Sequence, residues 1–166
     1  MPNYVFSPTG DGKYFNTAMN RAIVYIGKSV IGIGSVQAKG IRYIKSKVGC
    51  SSHSVKFLYK SVIKGLGNDY RSYGPHVFKY SINYTSLIIQ AILDFYNGLS
   101  DELQNDFCQN VFGSPCALPI DTSRLKEALF TDESGPQYMA LVWVKNTDYK
   151  MQAEYASKII NNLRNL

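Results

Sequence analysis

Apolar residues recur at helical spacing along much of this chain, most clearly between residues 54 and 66. There they follow the pattern i, i+3, i+4, i+7, i+8, i+11, which places them on one face of a helix. They are Val55, Leu58, Tyr59, Val62, Ile63 and Leu66. Spacing and capping residues predict further helices from Thr17 to Val30, from Thr85 or Ser86 to Tyr96, from Ser100 to Gly113, from Asp121 to Phe130 and from Asp148 onward.

Two segments instead have the pattern of strands. Residues 76–82 alternate between two sets of side chains, with His76 and Phe78 on one side and Lys79 on the other. Residues 138–144 form an apolar run rich in β-branched and aromatic residues, which is typical of a buried central strand. The segment Ser35 to Lys47 fits either a basic helix or a strand. The sequence therefore predicts an α+β fold, mainly helical, with a small sheet near 76–82 and 138–144.

The length of 166 residues favours one globular domain over residues 1–166, after a loop-rich segment 1–15. We expect its core to be formed by Val55, Leu58, Val62, Ile63, Ile88, Ile92, Phe95, Leu103, Phe107, Val142, Trp143 or its strand neighbours, Tyr155 and Ile159. No apolar run approaches the roughly 18 residues of a spanning helix, and the first residues lack the pattern of a secretory signal. Three widely spaced cysteines indicate reduced thiols. A cytoplasmic location is therefore expected.

Charge is distributed unevenly along the chain. The basic half, residues 1–83, has twelve Lys and Arg against Asp11 and Asp69, a net charge of +10, whereas the acidic half, residues 84–166, has a net charge of −4. A half with no glutamate indicates an anionic partner, which could be nucleic acid, an anionic membrane or an acidic protein. Alternatively, the two halves neutralise each other in the fold.

The basic half also contains many tyrosines among its cations, among them Tyr59, Tyr70 and Tyr73. Aromatic rings stack on unpaired bases while cations follow phosphates, so RNA is the expected partner. The predicted nucleic-acid contacts are Lys56, Lys60, Lys64, Arg42, Lys45 and Lys47. An anionic membrane is the runner-up, because residues 22–47 mix small, apolar and basic side chains as interfacial segments do. A protein-binding or inhibitor module is a further alternative, because tyrosine and arginine also suit protein interfaces.

Motifs for ATP, dinucleotides, zinc proteases and serine hydrolases are absent from the sequence. His76 lies within a few residues of Arg71, Tyr73 and Lys79, a set of residue types able to cleave RNA without metal. This predicts a metal-independent ribonuclease of the toxin or effector type, with His76 as acid or base and the other three stabilising phosphate. The alternative is that His76 is an ordinary strand residue.

Cys50 supports a second enzymatic hypothesis. It precedes a predicted helix, which would lower the pKa of its thiol, and His76 follows later in the chain, as in papain-like thiol enzymes. His53 is the other candidate histidine. A zinc site from Cys50, His53, Cys108 and Cys116 is disfavoured by its spacing, so we expect no metal and no cofactor. Cys108 is expected to be a small buried residue.

Overall fold

A computed structural model of the protein describes residues 18–48, 75–113, 121–132, 135–137, 140, 144 and 150–165. For residues 75–82, 84 and 150–153 it describes the backbone alone. The described part contains six helices: α1 (Ala18–Ser29), α2 (Val36–Val48), α3 (Pro75–Asn97), α4 (Asp101–Phe112), α5 (Thr122–Thr131) and α6 (Lys150–Arg164). No residue in these ranges is in a β-strand.

Helix α3 lies at the centre of the described structure and contacts each of the other five helices. Its buried face includes Ile88, Ile92 and Tyr96, which are at most 4% exposed. Burying one such side chain fully stabilises the fold by about 1.5–3 kcal/mol. The largest fully buried side chains on the surrounding helices are Met19, Ile26, Ile44, Phe107 and Phe130. Ile159 and Leu163 of α6 are buried in the same core, which is therefore shared by all six described helices and lies around α3.

Helices α4 and α5 begin at the capping residues that the sequence indicates. Ser100 Oγ accepts a hydrogen bond from Leu103 N at 3.3 Å, and Asp121 Oδ1 accepts one from Arg124 N at 2.9 Å. Gly113 ends α4 in the left-handed region at φ 73°, and its N–H donates to Gln109 O at 3.0 Å. These three boundaries confirm the predictions.

A side chain far away in sequence caps the start of α1. The two carboxylate oxygens of Asp132 accept hydrogen bonds from Ala18 N at 3.2 Å and Met19 N at 3.4 Å. These amides belong to the first turn, where a helix has no acceptors of its own, and a negative charge there also interacts favourably with the helix dipole. The end of α5 is thereby tied to the beginning of α1.

The predicted sheet is wrong. Residues 75–82 form the first turns of α3, which begins at Pro75, a residue well suited to the first helical position. The strand near 138–144 is also contradicted, because the two described residues in that range, Ala140 and Val144, are both helical. Alternation over seven residues, or an apolar run of that length, does not separate a strand from a buried helix, and tertiary packing overrides such local preferences. The same packing resolves the ambiguous segment 35–47 as helix α2.

The predicted core is confirmed in part. Ile88, Ile92, Phe107 and Ile159 are buried, and Phe95 and Tyr155 pack against them partly exposed. The prediction for Leu103 is wrong, because this residue lies in the first turn of α4 and is 47% exposed. Outside the described residues lie Val55, Leu58, Val62, Ile63, Val142 and Trp143, together with the predicted helix 54–66.

Candidate functional site

Helices α1 and α2 form a closely packed hairpin. A Cβ atom built on Gly27 would lie 1.7 Å from the carbonyl oxygen of Val36, and one built on Gly40 would lie 2.1 Å from that of Ile23. Only glycine has room at these two positions, so the backbones of the two helices are in direct contact. This contact fixes how the chain leaves α1 and enters α2.

The connection between the two helices exposes two large apolar side chains. We call residues Ile31, Gly32, Ile33 and Gly34 the hairpin tip. Ile31 is 105% exposed and Ile33 is 89% exposed, whereas Leu87 and Leu103, the other exposed large apolar residues of the described part, are 44% and 47% exposed. A scattered half-exposed leucine is ordinary, but two isoleucines projecting from one loop are not.

Local contacts give the hairpin tip a defined conformation. Gly34 has φ +103°, a left-handed backbone value that residues other than glycine rarely adopt. Ser35 directly precedes α2 and caps it, because its Oγ accepts a hydrogen bond from Ala38 N at 3.2 Å. The guanidinium of Arg42 reaches back from α2, and its Nη2 donates to the Ile33 carbonyl oxygen. The exposed isoleucines therefore belong to an ordered turn.

The charged residues of the helical hairpin that carries the tip are all basic. The described segment 18–48 contains six Lys and Arg and no Asp or Glu. Lys28 at the end of α1 is exposed, as are Arg42 and Lys47 on α2. Between described residues the structure forms one salt bridge, Arg164 with Glu127, and it lies away from this segment in sequence. Lys28 and Arg42 thus make no salt bridge to any other described residue.

Acidic side chains are found on another helix. Asp101, Glu102 and Asp106 are exposed on α4, which packs against α1. Tyr25 of α1 meets this helix, where its hydroxyl donates to Asp106 Oδ2 at 2.9 Å. Burial, the hydrogen bond and the negative charge of Asp106 raise the pKa of Tyr25 to about 12. Acidic residues near the hairpin therefore come from other elements such as α4, which packs against α1, because segment 18–48 has none of its own.

The structure brings together some of the sequence-predicted binding residues. Arg42, Lys45 and Lys47 all lie on α2, and the Lys47 ammonium lies 5.4 Å from the centre of the Tyr43 ring. The predicted column Lys56, Lys60 and Lys64 lies outside the described residues.

The predicted catalytic residues are not assembled in the described part. His76 and Lys79 lie in the first turns of α3, where the backbone alone is described. Arg71, Tyr73, Cys50 and His53 lie outside the described residues. Cys108 is buried, as predicted, with its Sγ 3.9 Å from the Tyr96 hydroxyl.

The sequence patterns did not identify the two most exposed large apolar residues of the described part, Ile31 and Ile33, or the position of the Lys39 side chain beside Gly32. The signal for the two isoleucines is the alternation of isoleucine and glycine at positions 31–34, directly after the predicted helix. Glycines at both positions 32 and 34 leave the intervening isoleucine little local packing.

Two kinds of site are not found among the described residues. No group of three or more His, Cys, Asp or Glu side chains there could hold a metal ion. Of the described helices, none combines the length and the apolar character that crossing a bilayer requires. The chain matches no protein family model, and neither the curated proteins nor the solved structures include a match to it.

Proposed function

We propose that the protein binds peripherally to anionic membranes through the hairpin tip and the basic residues around it. The observation that supports this best is the exposure of Ile31 and Ile33 within a segment of six cations and no acids. Apolar side chains framed by Lys and Arg match a lipid surface, which offers hydrocarbon below a layer of negative headgroups.

The exposed isoleucines and the basic residues around them both contribute favourable free energy to membrane binding. Each fully buried isoleucine contributes about 1.5–3 kcal/mol, and partial insertion contributes less. Each Lys or Arg held near an anionic leaflet contributes about 1 kcal/mol. A single weak anchor gives marginal membrane binding, whereas an apolar anchor combined with a basic surface gives stable binding. Ile31 and Ile33 supply the first, and Lys28, Lys39 and Arg42 supply the second.

RNA is a less complete match to this surface. Its phosphates would pair with Arg42, Lys45 and Lys47, and Tyr43 offers an aromatic ring beside Lys47. RNA provides no apolar medium for the two isoleucines, Ile31 and Ile33, that project from the hairpin tip. RNA binding by α2, and ribonuclease activity centred on His76, therefore stay predictions from the sequence.

Co-sedimentation of the purified full chain tests the proposal. Binding is measured to vesicles of phosphatidylcholine alone and to vesicles of phosphatidylcholine with phosphatidylserine, over a salt series. Binding of the protein to single-stranded RNA is measured separately over the same salt series. We expect binding to the anionic vesicles, about tenfold or greater weakening by the combined change Ile31→Ser and Ile33→Ser, and no weakening by Leu103→Ser. Leu103 is a matched control because it is also exposed but has Asp101 and Glu102 beside it. Binding to RNA without binding to vesicles contradicts the proposal.

A further inference from the structure

Arg42 contacts the hairpin tip through more than one of its atoms. Besides the hydrogen bond from its Nη2 to the Ile33 carbonyl oxygen, its guanidinium lies beside both glycines of the tip. A Cβ atom built on Gly32 would be 3.4 Å from Nη2, and one built on Gly34 would be 3.8 Å from Nη1. The planar group therefore lies along the backbone of residues 32–34.

These contacts constrain the orientation of the tip. A hydrogen bond to the Ile33 carbonyl fixes that peptide plane, and the neighbouring Gly34 fixes the next turn through its positive φ. The carbonyl oxygen of Ile33 is then satisfied by Arg42 while the Ile33 side chain stays 89% exposed. This is useful for insertion, because a carbonyl that already has a donor costs less to bring near hydrocarbon than a free one.

We infer that Arg42 is a positioning residue for membrane insertion: it holds the hairpin tip so that Ile31 and Ile33 enter the lipid, in addition to contributing its charge. This inference rests on the proposed function. It separates Arg42 from Lys28, whose proposed contribution to membrane binding is its charge. Lysine cannot replace it, because an ammonium is a compact point charge that lacks the planar fork of donors.

The test is a double-mutant cycle between Arg42→Lys and the combined change Ile31→Ser and Ile33→Ser. Arg42→Lys keeps the charge, so we expect the salt dependence of binding to anionic vesicles to be unchanged and the affinity to fall about fivefold. In the background that lacks both isoleucines, the same change is expected to have no further effect, because there is no apolar tip to position. Arg124→Lys, at an exposed arginine of α5, is the matched control and leaves binding unchanged.

Two outcomes overturn the inference while leaving the proposed function intact. One is wild-type binding by Arg42→Lys in the presence of both isoleucines. The other is an equal loss from Arg42→Lys in both backgrounds, which indicates that the arginine acts independently of the tip. A lack of vesicle binding by the wild-type protein, in contrast, removes the proposed function itself and the inference with it. Thermal unfolding of each variant shows whether its fold is retained. We expect the melting temperature to stay unchanged, because Arg42, Ile31 and Ile33 are all exposed.

Discussion

Gly27 of α1 and Gly40 of α2 lie directly against each other, so that a Cβ atom on Gly27 would come within 3.1 Å of the Gly40 nitrogen. This backbone contact holds the two helices as a hairpin and determines where the tip projects. The proposed membrane anchor therefore depends on two residues that have no side chains to offer to a lipid.

Gly27→Ala is expected to destabilise the protein by about 2 kcal/mol or more, even though alanine is favoured over glycine in a helix by about 1 kcal/mol. The added methyl group would overlap the Val36 carbonyl oxygen, and backbone cannot rotate away as a side chain can. Urea unfolding measures the loss. Gly98→Ala is the matched control, because its methyl group would meet atoms no nearer than 3.6 Å. Equal stability of Gly27→Ala and wild type would contradict the backbone contact.

Asp132→Ala is expected to lower the free energy of unfolding by about 1 kcal/mol, because the amides of Ala18 and Met19 lose their acceptor. Asp132→Asn keeps one acceptor oxygen without the charge, so it should cost less. The comparison is made in urea at neutral pH. If Asp132→Asn proves as damaging as Asp132→Ala, the capping role assigned to the carboxylate is incorrect.

The raised pKa of Tyr25 predicts that the free energy of unfolding falls at high pH. Its pKa is about 12 in the fold, against an ordinary value of 10.0 when unfolded, so the fold favours the protonated phenol. The stabilisation is fully present below pH 10 and is lost as the pH rises toward 12. We expect the free energy of unfolding of the wild type to fall more steeply between pH 10 and about 12 than that of Tyr25→Phe. Parallel curves for the two proteins would refute this.

Lys28→Gln is expected to weaken binding to anionic vesicles about fivefold at physiological salt, because each cation near the surface contributes about 1 kcal/mol. The reduction should shrink as salt is raised, since the interaction is screened. Lys158→Gln on α6 is the matched control, because it too removes one exposed helical lysine. Similar weakening by both variants would mean that net charge, and not the hairpin surface, controls binding.

What could be predicted from the sequence depended on how local the determining interactions are. Ser100, Gly113 and Asp121 were identified correctly because a cap bonds to amides or carbonyls within a few residues. The strand near 76–82 was wrong because the packing of α3 against five helices outweighs a short alternation. The exposure of Ile31 and Ile33 was missed because it depends on how α1 and α2 meet, which no local pattern encodes.

The most direct test of the membrane proposal places a fluorescent reporter in the hairpin tip. The chain has a single tryptophan, Trp143, so the change Ile31→Trp in a Trp143→Phe background gives a protein with one tryptophan at the tip. Leu103→Trp in the same background is the control. On anionic vesicles containing lipids brominated near the headgroup end of the acyl chains, we predict strong quenching of the tryptophan at position 31 and none at position 103. Sedimentation with the vesicles accompanied by equal, weak quenching at both positions would contradict insertion of the hairpin tip.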